Sequence, residues 1–394
     1  MNIAVNCRLL QQGRLEGIGW FMYENLKRIA RDHPEHQFFF IFDRPFDPSF
    51  IFSDNIKALV LGPPTRHPFL WYLWFEWRLP GVLEKINADL LFSPDGYLSL
   101  RCKIPQVPVI HDINFAHRPK DLPFLTRHYY NYYFPRFARK ADRICTVSEY
   151  SQKDISKTYA IDESMIHVVY NGANEAYKPL DGKEKQAGRM KYANGSEYFI
   201  FIGSIHPRKN LGNLIEAYEK FVERTGSEVK LVVVGAQMWQ GQQTAKALRP
   251  RSMTAIPDPE RSRRVEGSNI LFLGRLEAEE LREALGSALA MTFVPWFEGF
   301  GIPVVEAMYA GVPVLTSTET SLPEVGGEAV LYAHPGNVQE ISDQMEKLAS
   351  DASLREGLIQ KGKQQKEKFS WDQTSHKVWD CLETVIAGIE NNHD

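Results

Sequence analysis

Short apolar runs alternate along this chain with longer stretches that mix polar and apolar positions. In the first half the runs fall at 3–5, 38–42, 58–61, 90–92, 107–110, 143–147 and 167–170, each of strand length and rich in Val, Ile and Phe. Between the first two, Met22, Leu26 and Ile29 recur at i, i+4 and i+7 and mark one face of a helix. In the second half, strands are expected at 198–202, 229–234, 270–273, 291–294, 312–316 and 329–332. A strongly amphipathic helix is expected over 211–222, with apolar residues at 211, 214, 215, 218, 221 and 222. Strands alternating with helices predict βαβ units, and hence an α/β protein with mostly parallel sheets. Residues 176–196 hold few large apolar side chains and read as a linker between two α/β halves. Residues 237–268 lack a clear period and read as a short helix plus a loop.

Length supports the division: 394 residues are too many for one compact core at roughly 100–200 residues per domain. Lys and Arg number 46 against 49 Asp and Glu, so the chain is no polycation and nucleic acid is a poor partner. Cys7, Cys102, Cys145 and Cys381 lie far apart, with no paired spacing for zinc or a redox couple, and a reducing compartment is the simpler reading. The start, MNIAVNCRLL, reads as a first strand, not as a signal peptide. No apolar run approaches the roughly 20 residues that span a bilayer. The expected location is therefore the cytoplasm.

In parallel sheets ligands sit beyond the carboxyl ends of the strands, so the loops there carry the candidate chemistry. The first is GRLEGIGW, where Gly17 and Gly19 precede the helix and leave backbone N–H groups able to face an anion; an ordinary tight turn is the other reading. It is not a dinucleotide-binding G-x-G-x-x-G, because position 22 is Met. The second is HDINF, in which His111 and Asp112 stand at a strand end, either as site residues or as a surface His beside a capping Asp.

The third loop, GSIHPRKN, brings Arg208 and Lys209 to the start of the amphipathic helix, an arrangement that suits a diphosphate; taken alone, it also reads as a solvated basic pair. The fourth, FEGFGIPVVEAMYAGVPV, is the strongest motif. Gly299 and Gly301 open a turn, Pro303 suits a first helical turn, and Gly311 can close the helix, whose positive end points back at EGFG. Glu306, eight residues beyond Glu298 and among apolar neighbours, can accept hydrogen bonds from vicinal hydroxyls such as those of a ribose.

Taken together, these segments resemble the family-4 retaining glycosyltransferases of GT-B architecture over nearly the whole chain. The carriers are GIG at 17–19, HDINF at 111–115, ADRICTVSEYS at 141–151, NG at 171–172, GSIHPRKN at 203–210, EGFGIPVVEAMYAGVPV at 298–314 and SLPEVGGEAVLY at 321–332. Glu298 and Glu306 match the family's E-x7-E signature. The resemblance implies two facing Rossmann-like domains: 1–175 on the acceptor side and 197–370 on the nucleotide-sugar side, joined by the linker 176–196. The segment 371–394 would form a last helix returning to the N-terminal domain.

By that resemblance Arg208 and Lys209 bind the donor diphosphate and stabilise the departing nucleotide, Glu298 contacts the transferred sugar, and His111 touches it near the reacting carbon. Glu306 would hold the ribose. Gly17, Gly19, Ser204, Gly299, Phe300, Gly301 and Ile302 would complete the donor site. No Asp-x-Asp motif stands at a strand end, so neither a metal nor a cofactor is expected, and the nucleotide sugar enters as substrate. The chain departs from the family at Ser204, where Arg often follows the glycine, and at Trp296 and Phe297, where a smaller residue is frequent.

The expected activity is that of a retaining, metal-independent hexosyltransferase acting on a glycan or lipid-linked acceptor in bacterial lipopolysaccharide or exopolysaccharide synthesis. The donor expected from the resemblance is GDP-mannose, with a UDP-sugar as the alternative. A sugar-nucleotide epimerase of the same architecture, or a silent binding subunit, are the readings from other classes. The composition's one oddity is 12% aromatic residues, clustered at 68–80 (PFLWYLWFEWRLP) and 127–140 (RHYYNYYFPRFARK) among cations. These segments either pack a core or rest on the inner face of the cytoplasmic membrane.

Overall fold

A computed structural model describes residues 1–13, 15–174, 176–236 and 269–391. The chain divides into two compact units, Met1–Gly172 with Ser370–Asp394, and Ala173–Phe369. The stretch 237–268, read above as a short helix and loop, lies outside the described residues.

The first unit is built on strands β1 (Asn2–Asn6), β2 (Gln37–Phe42), β3 (Ile56–Val60), β4 (Leu90–Ser93) and β5 (Gln106–Pro108), ordered β3-β2-β1-β4-β5 and all parallel. A parallel bridge between Val109 and Cys145 joins β6 (Ile144–Thr146) to this sheet, with β7 (Ile166–Val168) beside it. Helix α1 (Gly17–Asp32) returns the chain from β1 to β2 and buries Met22, Leu26 and Ile29, the face that the i, i+4, i+7 spacing predicts. Gly17 and Gly19 do not precede this helix; they form its first turn. Gly19 is buried there, and a Cβ on it would lie 3.2 Å from the Leu9 carbonyl oxygen, so its glycine serves a close approach of helix to loop.

The aromatic segment at 68–80 folds as α2 (Pro68–Leu73), a π-helical stretch Trp74–Arg78 and α3 (Leu79–Lys85). Trp74 and Phe75 are fully buried, and Trp71 stacks on Tyr130 with ring centroids 5.6 Å apart. Their indole N–H groups are satisfied by backbone carbonyls, Trp74 on Leu61 and Trp71 on Thr65. Trp77, by contrast, is exposed. After the short helix α4 (Asn114–His117), the second aromatic segment is α5 (Phe124–Lys140), followed by α6 (Glu149–Tyr159).

The second unit begins with a correction. Residues 176–196 are not a linker throughout: Gly182–Ala193 is a helix, α7. Asp181 accepts from the Lys183 and Glu184 amides while the Glu184 carboxylate accepts from the Asp181 amide, a full capping box. The helix escaped the apolar pattern because its buried face is made of Gly188, Tyr192 and Ala193. A Cβ on Gly188 would lie 2.0 Å from Ser287 Oγ, so this glycine is what lets α7 pass so close to that residue.

From there β8 (Tyr198–Ile202), α8 (Leu211–Thr225), β9 (Lys230–Val234), β10 (Ile270–Gly274), α9 (Ala278–Gly286), β11 (Ala290–Phe293), α10 (Ile302–Tyr309), β12 (Val314–Ser317), α11 (Leu322–Gly326), β13 (Leu331–Ala333), α12 (Val338–Ser350) and α13 (Ala352–Gln365) follow in turn. The strands form one parallel sheet, ordered β10-β9-β8-β11-β12-β13. Counted from each unit's own first strand, the first sheet runs 3-2-1-4-5 and the second 3-2-1-4-5-6, the order of doubly wound nucleotide-binding folds. The order in which strands are added therefore reverses between β1 and β4 in one unit and between β8 and β11 in the other. In doubly wound sheets the ligand crevice lies at such a switch point.

Helix α14 (Trp371–Glu390) belongs to the first unit. It packs on α1, where Trp379 stacks on His33 at 3.6 Å between centroids and Asp372 pairs with Arg28 at 2.5 Å. The NG pair at 171–172 is where it arrives: a Cβ on Gly172 would lie 2.4 Å from the Trp371 amide nitrogen. Thr374 donates to the Tyr170 carbonyl at 2.6 Å.

Candidate functional site

In the second unit the crevice lies between the loops that leave β8 and β11, and the two loops are bonded to each other. The first turns through a 3-10 segment, Pro207–Lys209, capped by the His206 ring, and reaches α8 through Asn210 in the left-handed conformation at φ 61°. The Trp296 amide donates to the Arg208 carbonyl at 2.8 Å, and the Asn210 side-chain amide donates to Val294 and Pro335 carbonyls. Arg208 donates from Nη1 to the Phe297 carbonyl at 3.0 Å and to Glu298 Oε1 at 2.8 Å. Lys209 also donates to Glu298 Oε1. It is only 8% exposed, with its Nζ 5.0 Å from the centre of the Phe293 ring. The solvated-pair reading therefore does not hold for Lys209.

Glu298 is buried with these two cations. Burial alone would push its carboxyl up, but Lys209 and Arg208 outweigh that and hold it below the usual carboxylate range. Both cations bond the same oxygen, which leaves Oε2 to accept from a ligand hydroxyl.

The EGFG turn is fixed from outside by the loop after β12. Thr320, itself at φ 59°, accepts from the Glu298 amide, and the Ser321 hydroxyl lies 3.0 Å from the Glu298 and Phe300 carbonyls. Gly301 takes φ 100° and caps α10, where a Cβ would sit 2.6 Å from Leu322 Cδ2; only glycine fits. Gly299 and Phe300 are buried in the turn, Ile302 is partly buried at the first helical position, and Ser204 is partly buried after β8. The far end of α10 closes through Gly311 at φ 65°, with the Val312 amide on the Ala307 carbonyl and the Gly311 amide on Met308, a Schellman ending.

Glu306 extends from the second turn of α10 and differs from Glu298 in pairing with no cation among the described residues. Burial pushes its carboxyl up to about 7, and a hydrogen bond from the Tyr177 phenol offsets only part of that. Tyr177 lies in the stretch read as linker and was not legible as a site residue. A pH dependence follows. Unfolded, Glu306 releases its proton near the ordinary glutamate value of about 4.3; folded, it holds the proton to about 7. Its native ionisation therefore costs stability as pH rises through this window, and nothing is lost below it. Glu306→Gln is expected to be more stable than the ligand-free wild type at pH 8, by an amount on the order of 2 kcal/mol, with the gap closing towards pH 5. Calorimetric melting at the two pH values checks this, and equal gaps would refute it.

In the first unit the corresponding crevice holds a buried polar cluster that no motif announced. Arg8, just beyond β1, pairs through Nε with Asp95 Oδ2 at 2.5 Å, just beyond β4. Asn6 donates to Asp95 Oδ1 at 2.8 Å and to Ser93 Oγ at 3.0 Å. Arg8 also donates to Thr65 Oγ1 and lies flat over the Tyr97 ring at 4.0 Å. Thr65 in turn donates twice to Asp43, beyond β2.

His111 stands beside this cluster. Its Nε2 donates to the Pro94 carbonyl at 2.9 Å, its ring meets Phe21 edge-on at 4.9 Å, and burial pushes its pKa down. It is thus a neutral imidazole whose Nδ1 is an acceptor. Asp112 works locally, accepting from the Asn114 amide at 3.0 Å. Gly17, exposed, and Gly19 stay on α1 in this unit, whose N-terminus carries no side-chain cap.

Comparison with known proteins agrees with both halves of this geometry. The glycosyl transferases group 1 family matches residues 183–365, and Glycosyltransferase Family 4 matches residues 16–177. O-antigen chain mannosyltransferase B of Escherichia coli is 30% identical over 372 residues, covering 91% of this chain and 93% of that protein. This chain belongs to the family-4 glycosyltransferases. O-antigen chain mannosyltransferase RfbU of Salmonella typhimurium is 27% identical over 282 residues, 71% of each chain. HepE of Anabaena, solved with UDP-glucose, shares the fold with TM-score 0.71 at 17% identity, over 98% of this chain and 100% of that one. WaaG, a glycosyltransferase involved in lipopolysaccharide biosynthesis, does so with TM-score 0.71 at 16% identity, over 96% and 98%. The fold of this glycosyltransferase is GT-B. Among the described residues no helix is long and apolar enough to cross a membrane.

Proposed function

We propose that this glycosyltransferase transfers mannose from GDP-mannose, with retention of configuration and without a metal ion, to a glycan or lipid-linked saccharide in O-antigen synthesis. The observation that carries the reading is the Arg208–Glu298–Lys209 cluster at the strand-order switch of the second unit. The cations are held on a buried carboxylate before any ligand arrives. In the reaction the bond from the anomeric carbon to the β-phosphate oxygen breaks, the bond to the acceptor oxygen forms on the same face, and the acceptor proton passes to the phosphate. Negative charge develops on that phosphate, and prepositioned cations with the amides of the Gly299–Gly301 turn stabilise it without reorganising. Glu298 Oε2 faces a sugar hydroxyl, Glu306 the ribose, and Ser204 and Ile302 border the same site. His111, with Nδ1 as an acceptor, and Gly17 and Gly19 keep in this reading the roles that the family resemblance implies for them.

Mannose is supported by the similarity to two O-antigen chain mannosyltransferases. An acceptor linked to lipid would bring the enzyme to the cytoplasmic face of the membrane. The test is a thermal-shift panel of GDP-mannose, UDP-glucose and UDP-galactose. At a hundred times its dissociation constant the true donor adds about 2.7 kcal/mol, several degrees in Tm. GDP-mannose is expected to give that shift, and a shift with a UDP-sugar alone would overturn the donor. Epimerised nucleotide sugar formed without acceptor would overturn transfer itself.

A further inference from the structure

Trp71, Trp74 and Phe75 account for the inner side of the aromatic segments, but the outer side remains. Phe69 on α2 and Phe124, Leu125 and Tyr132 on α5 are 66%, 64%, 54% and 53% exposed. Phe69, Leu125 and Tyr132 border an open groove of about 590 Å³, completed by Tyr72 and Tyr133, and Phe124 precedes Leu125 at the start of α5. A second groove of about 510 Å³ adjoins it, sharing His128 and Tyr132 and adding Lys120 and Arg127. A soluble surface rarely carries so many large apolar side chains in one place without a partner.

Charge indicates which partner. Between residues 122 and 141 there is no Asp or Glu, while Arg127, Arg136, Arg139 and Lys140 all fall there. Arg127 lies 5.5 Å from the Phe124 ring centre and Arg136 lies 3.6 Å over Tyr132, so each cation rides on an exposed ring. Neither has a carboxylate partner among the described residues. The one acid of the 68–80 segment, Glu76, is turned inward, where its oxygens accept from the Leu100 and Arg101 amides. Protruding aromatic and aliphatic groups with cations at their edges, and no outward acid, match the boundary between acyl chains and anionic headgroups. A glycan would be recognised instead by carboxylate and amide hydrogen bonds, which this face largely lacks.

We propose that the outer face of α2 and α5 is a docking surface for an anionic lipid bilayer, with Phe69, Phe124 and Leu125 entering the interface and Arg127 and Arg136 meeting lipid phosphates. The proposal is independent of which nucleotide sugar the enzyme uses. The test is co-sedimentation of the full chain with vesicles of phosphatidylglycerol and phosphatidylethanolamine, against phosphatidylcholine alone. Strong binding to the anionic vesicles at low salt, weakening as salt rises, is expected. Arg127→Glu/Arg136→Glu should bind at least twentyfold more weakly, at about fivefold for each cation lost. Phe69→Ser/Phe124→Ser/Leu125→Ser should abolish binding while keeping the wild-type Tm and donor-induced thermal shift. Equal binding to phosphatidylcholine, or variants that bind like the wild type, would overturn the proposal. So would a concentration-dependent dimer lost in the triple variant without any vesicle binding, or an oligosaccharide that binds this face while vesicles do not.

Discussion

Lys209→Ala is expected to lower kcat/KM by about 30- to 1,000-fold, corresponding to roughly 2–4 kcal/mol of lost transition-state stabilisation. The magnitude rests on position. Lys209 is held in a buried place against Glu298 and the Phe293 ring, where the charge is desolvated and does not have to reorganise as the β-phosphate gains charge. Donor affinity should fall much less than kcat, because in the proposed site the ground-state diphosphate would still meet Arg208 and the amides at the start of α10. Lys209→Arg should not restore the rate: a guanidinium is planar and larger, and the site already holds one at Arg208. Steady-state kinetics beside a melting curve separates this from misfolding. Turnover at the wild-type level would refute the assigned role. Stability is expected to change little, since Glu298 keeps its bond to Arg208.

Much of the fold and of the local geometry of the candidate site is legible in the sequence. Strand-sized apolar runs placed every strand of both sheets within a few residues, and the ends of those strands named Lys209, Glu298 and Glu306. That worked because the turn after β11 needs glycine at 301 and a carboxylate at 298 within a few residues of each other, so backbone and chemistry share one local motif.

What was missed has the opposite character. Arg8 and Asp95 are 87 positions apart, and each is a single polar residue after an apolar strand. Only the strand order brings them together. Position alone could have found them, since both flank the place where the sheet order reverses. Thr320 and Ser321 support the EGFG turn from another loop and bear no resemblance to a ligand-binding pair. Tyr177 and helix α7 were lost for a third reason. A buried face made of Gly188, Tyr192 and Ala193 is too small to register as an apolar stripe, so a packed helix looked like a linker. The aromatic excess divides into two sets, with Trp74 and Phe75 inside and Phe69 and Phe124 outside; composition cannot separate these, because both sets lie along the same helical segments.

The buried pair in the first unit should be the largest single stability determinant outside the apolar core. Arg8 is 6% and Asp95 1% exposed at the side chain, and they meet at 2.5 Å. Arg8→Met removes the cation but leaves Asp95 buried, still accepting from Asn6 and the Tyr97 amide yet carrying an uncompensated charge. Breaking one side of such a pair costs about 3–5 kcal/mol. For a unit of this size that is a fall on the order of 10 °C in Tm, read by calorimetry. Adding Asp95→Asn to Arg8→Met should recover more than half of the loss, because the pair then leaves together and the amide oxygen can still accept from Asn6. A double variant as unstable as the sum of the two singles would show that the residues do not act as a pair. Under the role proposed for His111, the pair would also bear on the reaction. Asp95 follows Pro94, whose carbonyl fixes the His111 tautomer, so a loop loosened by Arg8→Met should let the imidazole turn. In the single variant, water admitted to the ring should relieve the burial that holds the His111 pKa down, outweighing the loss of the Pro94 bond that raises it. The pKa is expected to move up towards the ordinary histidine value. An NMR titration of its ring protons would follow that change separately from the loss of stability.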